Sequence, residues 1–168
     1  MGLLTLQLAR AAGIKTIAVA SARNHELCTS CGANEVFDYN TAFIEEDVVK
    51  AVKTLGGDFV GVLDCVASPV QSVQHCISVL EHFGGGELGL LVPDIHPEVS
   101  DKIRVTNVFA GNEMTLPLWR DYVTPALEQG KLKCAPEALV VGEGLGSLQK
   151  GLDVQRQGVS AKKVVVTL

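Results

Sequence analysis

The sequence is poor in charged and aromatic residues and contains no long apolar run. Charged residues make up 20% of its 168 residues and aromatic residues 5%, against 47% hydrophobic residues. This composition excludes an intrinsically disordered chain. No stretch of about 18 apolar residues occurs, so no membrane span is expected. The net charge of −5 offers no basic surface for nucleic acid.

The sequence also has no clear secretory leader and no disulfide framework. The N-terminal residues carry neither a basic start nor a small-residue cleavage site. Five cysteines are an odd number without a framework-like spacing, which suits a reducing compartment. We therefore expect a soluble, cytoplasmic, globular chain.

One C-x-x-C motif is present, at Cys28 and Cys31. A redox motif or half of a zinc site is an open alternative. However, no second pair of ligands completes a zinc site, and the four histidines are scattered. Two small residues on a helix are therefore favoured, and no metal site is assigned.

Short apolar runs alternate with helical patterns along the whole chain. The patterns predict strands over residues 15–20, 34–38, 59–65, 87–92, 103–109, 138–141 and 163–168. Helices are predicted over residues 3–12, 26–31, 45–55, 70–80, 118–128 and 145–157. This alternation, with strands that are apolar on both faces, predicts an α/β fold with a doubly wound parallel sheet.

The sequence opens in a helix, with no strand before it. In nucleotide-binding α/β folds, the first strand and its glycine turn supply the phosphate cradle at that helix. Only Gly2 is available as a remnant of this turn, and no G-x-G-x-x-G motif occurs. The sheet is therefore expected to lack its first strand, which leaves the neighbouring strands with unpaired edges.

A polar turn follows the first predicted strand. It reads Ser21, Ala22, Arg23 and Asn24, and no acidic residue occurs before Glu26. At this position an acidic residue receives the ribose hydroxyls of NAD, whereas a basic residue accommodates the 2′-phosphate of NADP. Arg23 offers paired donors to a phosphate, and Ser21 and Asn24 offer neutral ones. The alternative is an ordinary surface loop.

Four strings carry a resemblance to a known family: LQLARAAGIKTIAVASARN, CGANEVFDYN, FVGVLDCVAS and GLGSLQKGLDVQRQGVSAKKVVVTL. They resemble the cofactor half and the closing segment of the medium-chain dehydrogenase/reductase superfamily, in its quinone-oxidoreductase-like branch. Within it, the sequence looks most like fungal trans-acting enoyl reductases and toxin-pathway dehydrogenases that serve polyketide synthases. The resemblance covers essentially the whole chain.

The resemblance implies a division of the chain and a set of cofactor contacts. Residues 1–130 would form a Rossmann-like NADP-binding domain without its first strand, and residues 131–168 the C-terminal piece of an otherwise missing catalytic domain. The turn at residues 21–24 would grip the 2′-phosphate. The other implied cofactor contacts are Tyr39 along the adenosine, Leu90 and Leu91 beside the nicotinamide, and Val159 with Ser160 in the closing segment.

Each of these contacts has a plainer alternative. Tyr39 could close a strand at the surface, and the two leucines could belong to the core. Cys65, which follows Asp64 at a strand end, is expected to be a buried small hydrophobe and not a nucleophile. No catalytic residue is named, because the family's substrate cleft lies largely in the absent domain.

The implied function is an NADP-dependent oxidoreductase of secondary-metabolite biosynthesis, either an enoyl reductase or a dehydrogenase. It would transfer hydride between NADPH and a small or carrier-bound enoyl or carbonyl substrate, with a polyketide synthase as a candidate partner. A monomer or a homodimer is expected. The alternative is an inactive remnant or an interaction module that associates through its exposed sheet. A methyltransferase-like nucleotide binder is weaker, because such folds place an acidic residue after the second strand.

Overall fold

The computed structural model describes residues 1–42, 44–92, 94–109, 111, 113 and 115–168. The strands are β1 Ile17–Ala20, β2 Glu35–Asp38, β3 Gly61–Asp64, β4 Gly86–Leu90, β5 Ile103–Asn107, β6 Glu137–Glu143 and β7 Lys162–Thr167. The helices are α1 Gly2–Ala11, α2 His25–Cys31, α3 Ile44–Leu55, α4 Val73–His82, α5 Thr115–Pro117, α6 Thr124–Glu128 and α7 Leu148–Gln157. Short 3-10 turns precede α2 and α7, and a π-helical turn, Leu118–Val123, joins α5 to α6.

The strands form three parallel groups. β1 pairs with β2, β4 lies between β3 and β5, and β6 pairs with β7. Every one of these pairings is parallel, which confirms the predicted α/β class. β1 and β3 are not paired with each other in the described part of the chain.

Two apolar clusters hold the strands to their helices. The first joins α1 and α2 to β1 and β2, and its buried members are Leu6, Cys28, Cys31 and Ala33. The second joins α4 to the three-stranded sheet through buried residues such as Val73, Leu80, Leu88 and Leu90. Full burial of a Leu or Val side chain stabilises the folded state by about 1.5–3 kcal/mol relative to leaving it exposed. Helix α3 packs on β1 and β2 and also contacts α4, so it links the two sheets.

The C-x-x-C motif belongs to the first cluster. Cys28 and Cys31 are both buried, and burial, followed by the neighbouring Cys31, raises the pKa of Cys28. The described residues contain no group of three or more side chains that could hold a metal ion. Packing on a helix therefore accounts for the motif. Helix α2 ends at Cys31 and is followed by Gly32, where φ is +116° and a Cβ would lie 2.9 Å from the Cβ of Arg10, so a side chain does not fit.

A hydrogen-bonded turn at Ser68 shifts one predicted helix start. The helix predicted from residue 70 begins at Val73. The carbonyl oxygen of Ser68 accepts the N–H groups of Gln71, Ser72 and Val73, and the Ser72 hydroxyl accepts the N–H of Ser68. These bonds satisfy the backbone in a turn instead of a first helical turn.

The C-terminal segment forms its own small layer, with α7 packed on β6 and β7. It is connected to α1 through Gln7, which is 5% exposed. The Gln7 side chain donates to the carbonyl oxygen of Lys133 at 3.1 Å and accepts the Lys133 N–H at 2.8 Å. The division at residue 130 remains a prediction. None of the described helices has both the length and the apolar character needed to cross a membrane.

Candidate functional site

The carboxyl ends of β1 and β2 lie side by side, because Ala20 is opposite Asp38 in the parallel register. The chain leaves β1 through Ser21 in an extended conformation, with φ −62° and ψ 146°. It then forms a tight turn over Ala22–Asn24, in which the Asn24 N–H donates to the Ser21 carbonyl at 2.8 Å. This register brings the predicted turn and Tyr39, which directly follows β2, to one edge of the sheet.

Both large side chains at this edge face solvent. Arg23 is exposed, and no carboxylate pairs with its guanidinium within the described ranges. Tyr39 is 57% exposed. An exposed guanidinium and an accessible aromatic face at the same edge of a sheet can together receive an anionic group attached to a planar base.

The turn is bonded to the closing segment of the chain. The side-chain amide nitrogen of Asn24 lies 2.9 Å from the Ser21 hydroxyl and 3.2 Å from the Ser160 hydroxyl. Val159 and Ser160 are half-buried, and Ala161 adopts a φ of +48°. The structure therefore brings together two predicted cofactor segments that lie 136 residues apart in the sequence.

Asp38 is a residue of this site that the sequence reasoning missed. Its Oδ1 accepts the backbone N–H of Asn40 at 3.0 Å and the Asn40 side-chain amide at 2.8 Å. The Asn40 backbone bond is the main cause that lowers the pKa of Asp38, with smaller contributions that include the Ala22 backbone and His25. The sequence signal was available, since an Asp followed two residues later by Asn is typical of an Asx turn.

The two predicted nicotinamide contacts lie at the carboxyl end of β4. Leu90 is the last residue of this strand, has no exposed surface and packs in the second cluster with Leu80 and Leu88. Leu91 is half-buried, and its N–H donates to the Asp64 carbonyl at 3.2 Å. Leu90 is therefore a core residue in this structure. The contact of either leucine with nicotinamide remains a prediction.

Asp64 and Cys65 close β3 at the same end as β4. One oxygen of Asp64 accepts the N–H groups of Val66 and Ala67 at 2.9 and 2.8 Å, which turns the chain out of the strand. Burial is the largest cause that raises the pKa of Cys65, although a hydrogen bond with Thr5 lowers it. A thiol held protonated in this way fits the expected small hydrophobe and not a nucleophile.

Comparison with protein families gives one match that covers half of the chain. The model of the zinc-binding dehydrogenase family matches residues 1–88. Dehydrogenase orsE of Emericella nidulans is 43% identical over 171 residues, which span 100% of this chain and 48% of that protein. Trans-enoyl reductase himH of Aspergillus japonicus is 31% identical over 100% of this chain and 49% of its own length. The chain thus spans about half the length of these curated relatives.

Solved structures share the fold at lower sequence identity. A quinone oxidoreductase of Pseudomonas syringae pv. tomato DC3000 matches with a TM-score of 0.71 at 20% identity, over 99% of this chain and 53% of that one. The mycobacterial protein Rv1454c, complexed with NADPH, matches with a TM-score of 0.65 at 18% identity, again over 99% and 53%. At this identity the likeness establishes the fold alone.

Proposed function

Because the chain belongs to the zinc-binding dehydrogenase family, we propose that it is the cofactor-binding part of an NADP-dependent oxidoreductase. The family match and the curated relatives confirm the resemblance to the medium-chain dehydrogenase/reductase superfamily. Residues 1–130 would bind most of the cofactor, and residues 131–168 would belong to the catalytic domain. The observation that carries the proposal is the convergence of the Ser21–Asn24 turn, which includes the exposed Arg23, with Ser160.

The chemistry of the turn favours NADP over NAD. An NAD site presents a carboxylate to the ribose hydroxyls after the corresponding strand, and residues 21–24 contain none. The nearest acid on the neighbouring strand is Asp38, whose Oδ1 is engaged by Asn40. Arg23 and the serine hydroxyls instead offer donors, which suit the dianionic 2′-phosphate.

The reaction that we propose is hydride transfer between NADPH and a small or carrier-bound enoyl or carbonyl substrate. The nicotinamide supplies the hydride, and this chain binds and orients the cofactor. Relatives named dehydrogenase and trans-enoyl reductase support the two reaction types. We also propose a role in secondary-metabolite biosynthesis, with a polyketide synthase as the partner. The proposed location is the cytoplasm, and the proposed state is a monomer or a homodimer.

We propose no zinc site in this part of the protein. The family name includes the metal, but the described residues hold no group of three or more histidine, cysteine or acidic side chains that could ligate one. The two cysteines of the C-x-x-C motif fit packing positions, since Cys28 and Cys31 are buried on α2. We therefore assign the chain cofactor binding alone.

The test is the binding of NADPH and NADH to the wild-type chain and to Arg23→Glu, measured by calorimetry. A charge-assisted hydrogen bond to a phosphate contributes about 1.5–3 kcal/mol, so removing it and reversing the charge should weaken NADPH binding at least about tenfold. NADH, which has no 2′-phosphate, should bind about as before. Arg23→Lys keeps the charge but not the fork of donors. Its affinity for NADPH should lie between those of the wild-type chain and Arg23→Glu.

Two results would contradict the proposal in different ways. Equal losses for NADPH and NADH in Arg23→Glu would remove Arg23 from the 2′-phosphate site. A wild-type chain that binds neither nucleotide would favour the alternative, a non-catalytic interaction module.

A further inference from the structure

We infer that Asn24 is a positioning residue, and that it holds the hydroxyls of Ser21 and Ser160 as the two neutral donors to the 2′-phosphate. This inference rests on the proposed function, because it assigns roles within the same site. It differs from a direct contact of Asn24 with the phosphate, which the turn sequence alone suggests. The two cases differ in which hydrogen atoms of Asn24, Ser21 and Ser160 are already bonded within the protein.

The amide group of Asn24 is fully engaged as a donor. A side-chain amide nitrogen carries two hydrogen atoms. One is directed at the Ser21 hydroxyl, 2.9 Å away, and the other at the Ser160 hydroxyl, 3.2 Å away. The amide therefore has no N–H left for a phosphate while both bonds are made.

The two serine hydroxyls, unlike the Asn24 amide, still have their hydrogen atoms available for donation. Each accepts a hydrogen bond from Asn24 through an oxygen lone pair, so each keeps its own hydrogen for another acceptor. In the part of the chain that the structure describes, neither hydroxyl donates to a protein group. Two O–H donors thus lie at the same turn as the exposed Arg23. A phosphate has three acceptor oxygens, which matches one guanidinium and two hydroxyls.

The arrangement makes the site depend on the far end of the chain. Ser160 follows α7 and directly precedes Ala161, whose φ of +48° is unfavourable for a residue with a side chain. Strain that persists at one residue indicates that its surroundings fix the local backbone. The Asn24 bond supplies such a constraint, since it ties this segment to the turn after β1.

The test is a double-mutant cycle on Asn24 and Ser160, read by the affinity for 2′,5′-ADP with 5′-ADP as the reference ligand. Ser160→Ala should weaken 2′,5′-ADP binding about tenfold, as expected for one hydrogen bond to a charged group, and leave 5′-ADP unchanged. Asn24→Ala should produce a similar loss. If Asn24 acts through the serines, adding Ser160→Ala to Asn24→Ala should cost less than about twofold more.

Asn24→Asp provides a sharper variant of nearly the same size. A carboxylate only accepts hydrogen bonds, so the two hydroxyls would donate to it and turn their lone pairs toward the phosphate. This variant should bind 2′,5′-ADP more weakly than Asn24→Ala does. Ser147→Ala is the matched control, because the Ser147 hydroxyl belongs to the same C-terminal segment but donates to the Glu143 carbonyl at 2.7 Å.

If the losses of 2′,5′-ADP affinity in Asn24→Ala and Ser160→Ala add up in the double variant, the inference is overturned. The proposed function would remain intact, since Asn24 would then contact the phosphate by itself. Failure of the wild-type chain to bind 2′,5′-ADP would overturn the proposed function. The hydrogen bonds are tested without any ligand by the NMR resonances of the Asn24 side-chain amide. Ser160→Ala should shift these resonances, and their constancy would disprove the link between the two residues.

Discussion

The attachment of α1 to the segment after residue 130 can be tested at Gln7. This side chain is 5% exposed and makes three hydrogen bonds: two with the backbone of Lys133 and one, at 3.3 Å, to the Leu3 carbonyl. Gln7→Ala removes all three and leaves a cavity. At about 1 kcal/mol for each bond, we expect the free energy of unfolding to fall by about 2–3 kcal/mol.

In a chain of this size, a loss of 1 kcal/mol lowers the melting temperature by about 2–4 °C, so Gln7→Ala should melt about 5–10 °C lower. Urea unfolding followed by circular dichroism gives the free energy, and limited proteolysis shows whether cleavage increases near Lys133. Gln149→Ala is the control, because its amide bonds Asp153 at the surface; a change within about 0.5 kcal/mol is expected there. Equal stability of Gln7→Ala and wild type would refute the claim that Gln7 joins the two segments.

Three further predictions concern backbone strain, acid stability and thiol reactivity. Ala161→Gly should raise the free energy of unfolding by up to about 1 kcal/mol in urea titrations, because glycine tolerates the φ of +48° that costs alanine energy. The lowered pKa of Asp38 means that its carboxylate stabilises the fold above about pH 4 and loses this effect as pH falls. Asp38→Asn should therefore show a flatter loss of stability in acid than wild type, and a parallel pair of urea midpoint curves would contradict this. Burial raises the pKa of Cys76 to about 12, so iodoacetamide should modify the exposed Cys134 well before Cys76 in a mass-spectrometric time course. Equal rates would show that the thiol of Cys76 is not held protonated by its surroundings.

Much of the fold could be predicted from hydrophobic patterning. Continuous apolar runs such as residues 15–20 and 59–65 indicated strands, and β1 and β3 lie within them. The burial expected on both faces is incomplete, since Val19 is 50% and Leu63 39% exposed. The strand ends were harder to predict, because side-chain hydrogen bonds to the backbone determine where a strand stops. The Asp64 carboxylate captures two backbone N–H groups just beyond β3, and patterning alone contains no signal for that bond.

Part of the candidate site could likewise be predicted from local sequence, and part depends on tertiary packing. The polar turn after β1 and the closing segment were each identifiable from local sequence and resemblance. Their contact through Asn24 and Ser160 depends on tertiary packing over 136 residues, which no local pattern encodes. The engagement of Asp38 by Asn40 was readable as an Asx turn, but its place beside the cofactor turn followed only from the strand register.

The most direct test of the account is the ³¹P NMR spectrum of NADPH titrated with the chain. The 2′-phosphate and the pyrophosphate give separate resonances, so the spectrum reports which group contacts the protein. We predict that the 2′-phosphate resonance shifts or broadens with the wild-type chain and does so much less with Arg23→Glu. A spectrum in which only the pyrophosphate responds, or in which Arg23→Glu matches wild type, would contradict the assignment of this turn to NADP.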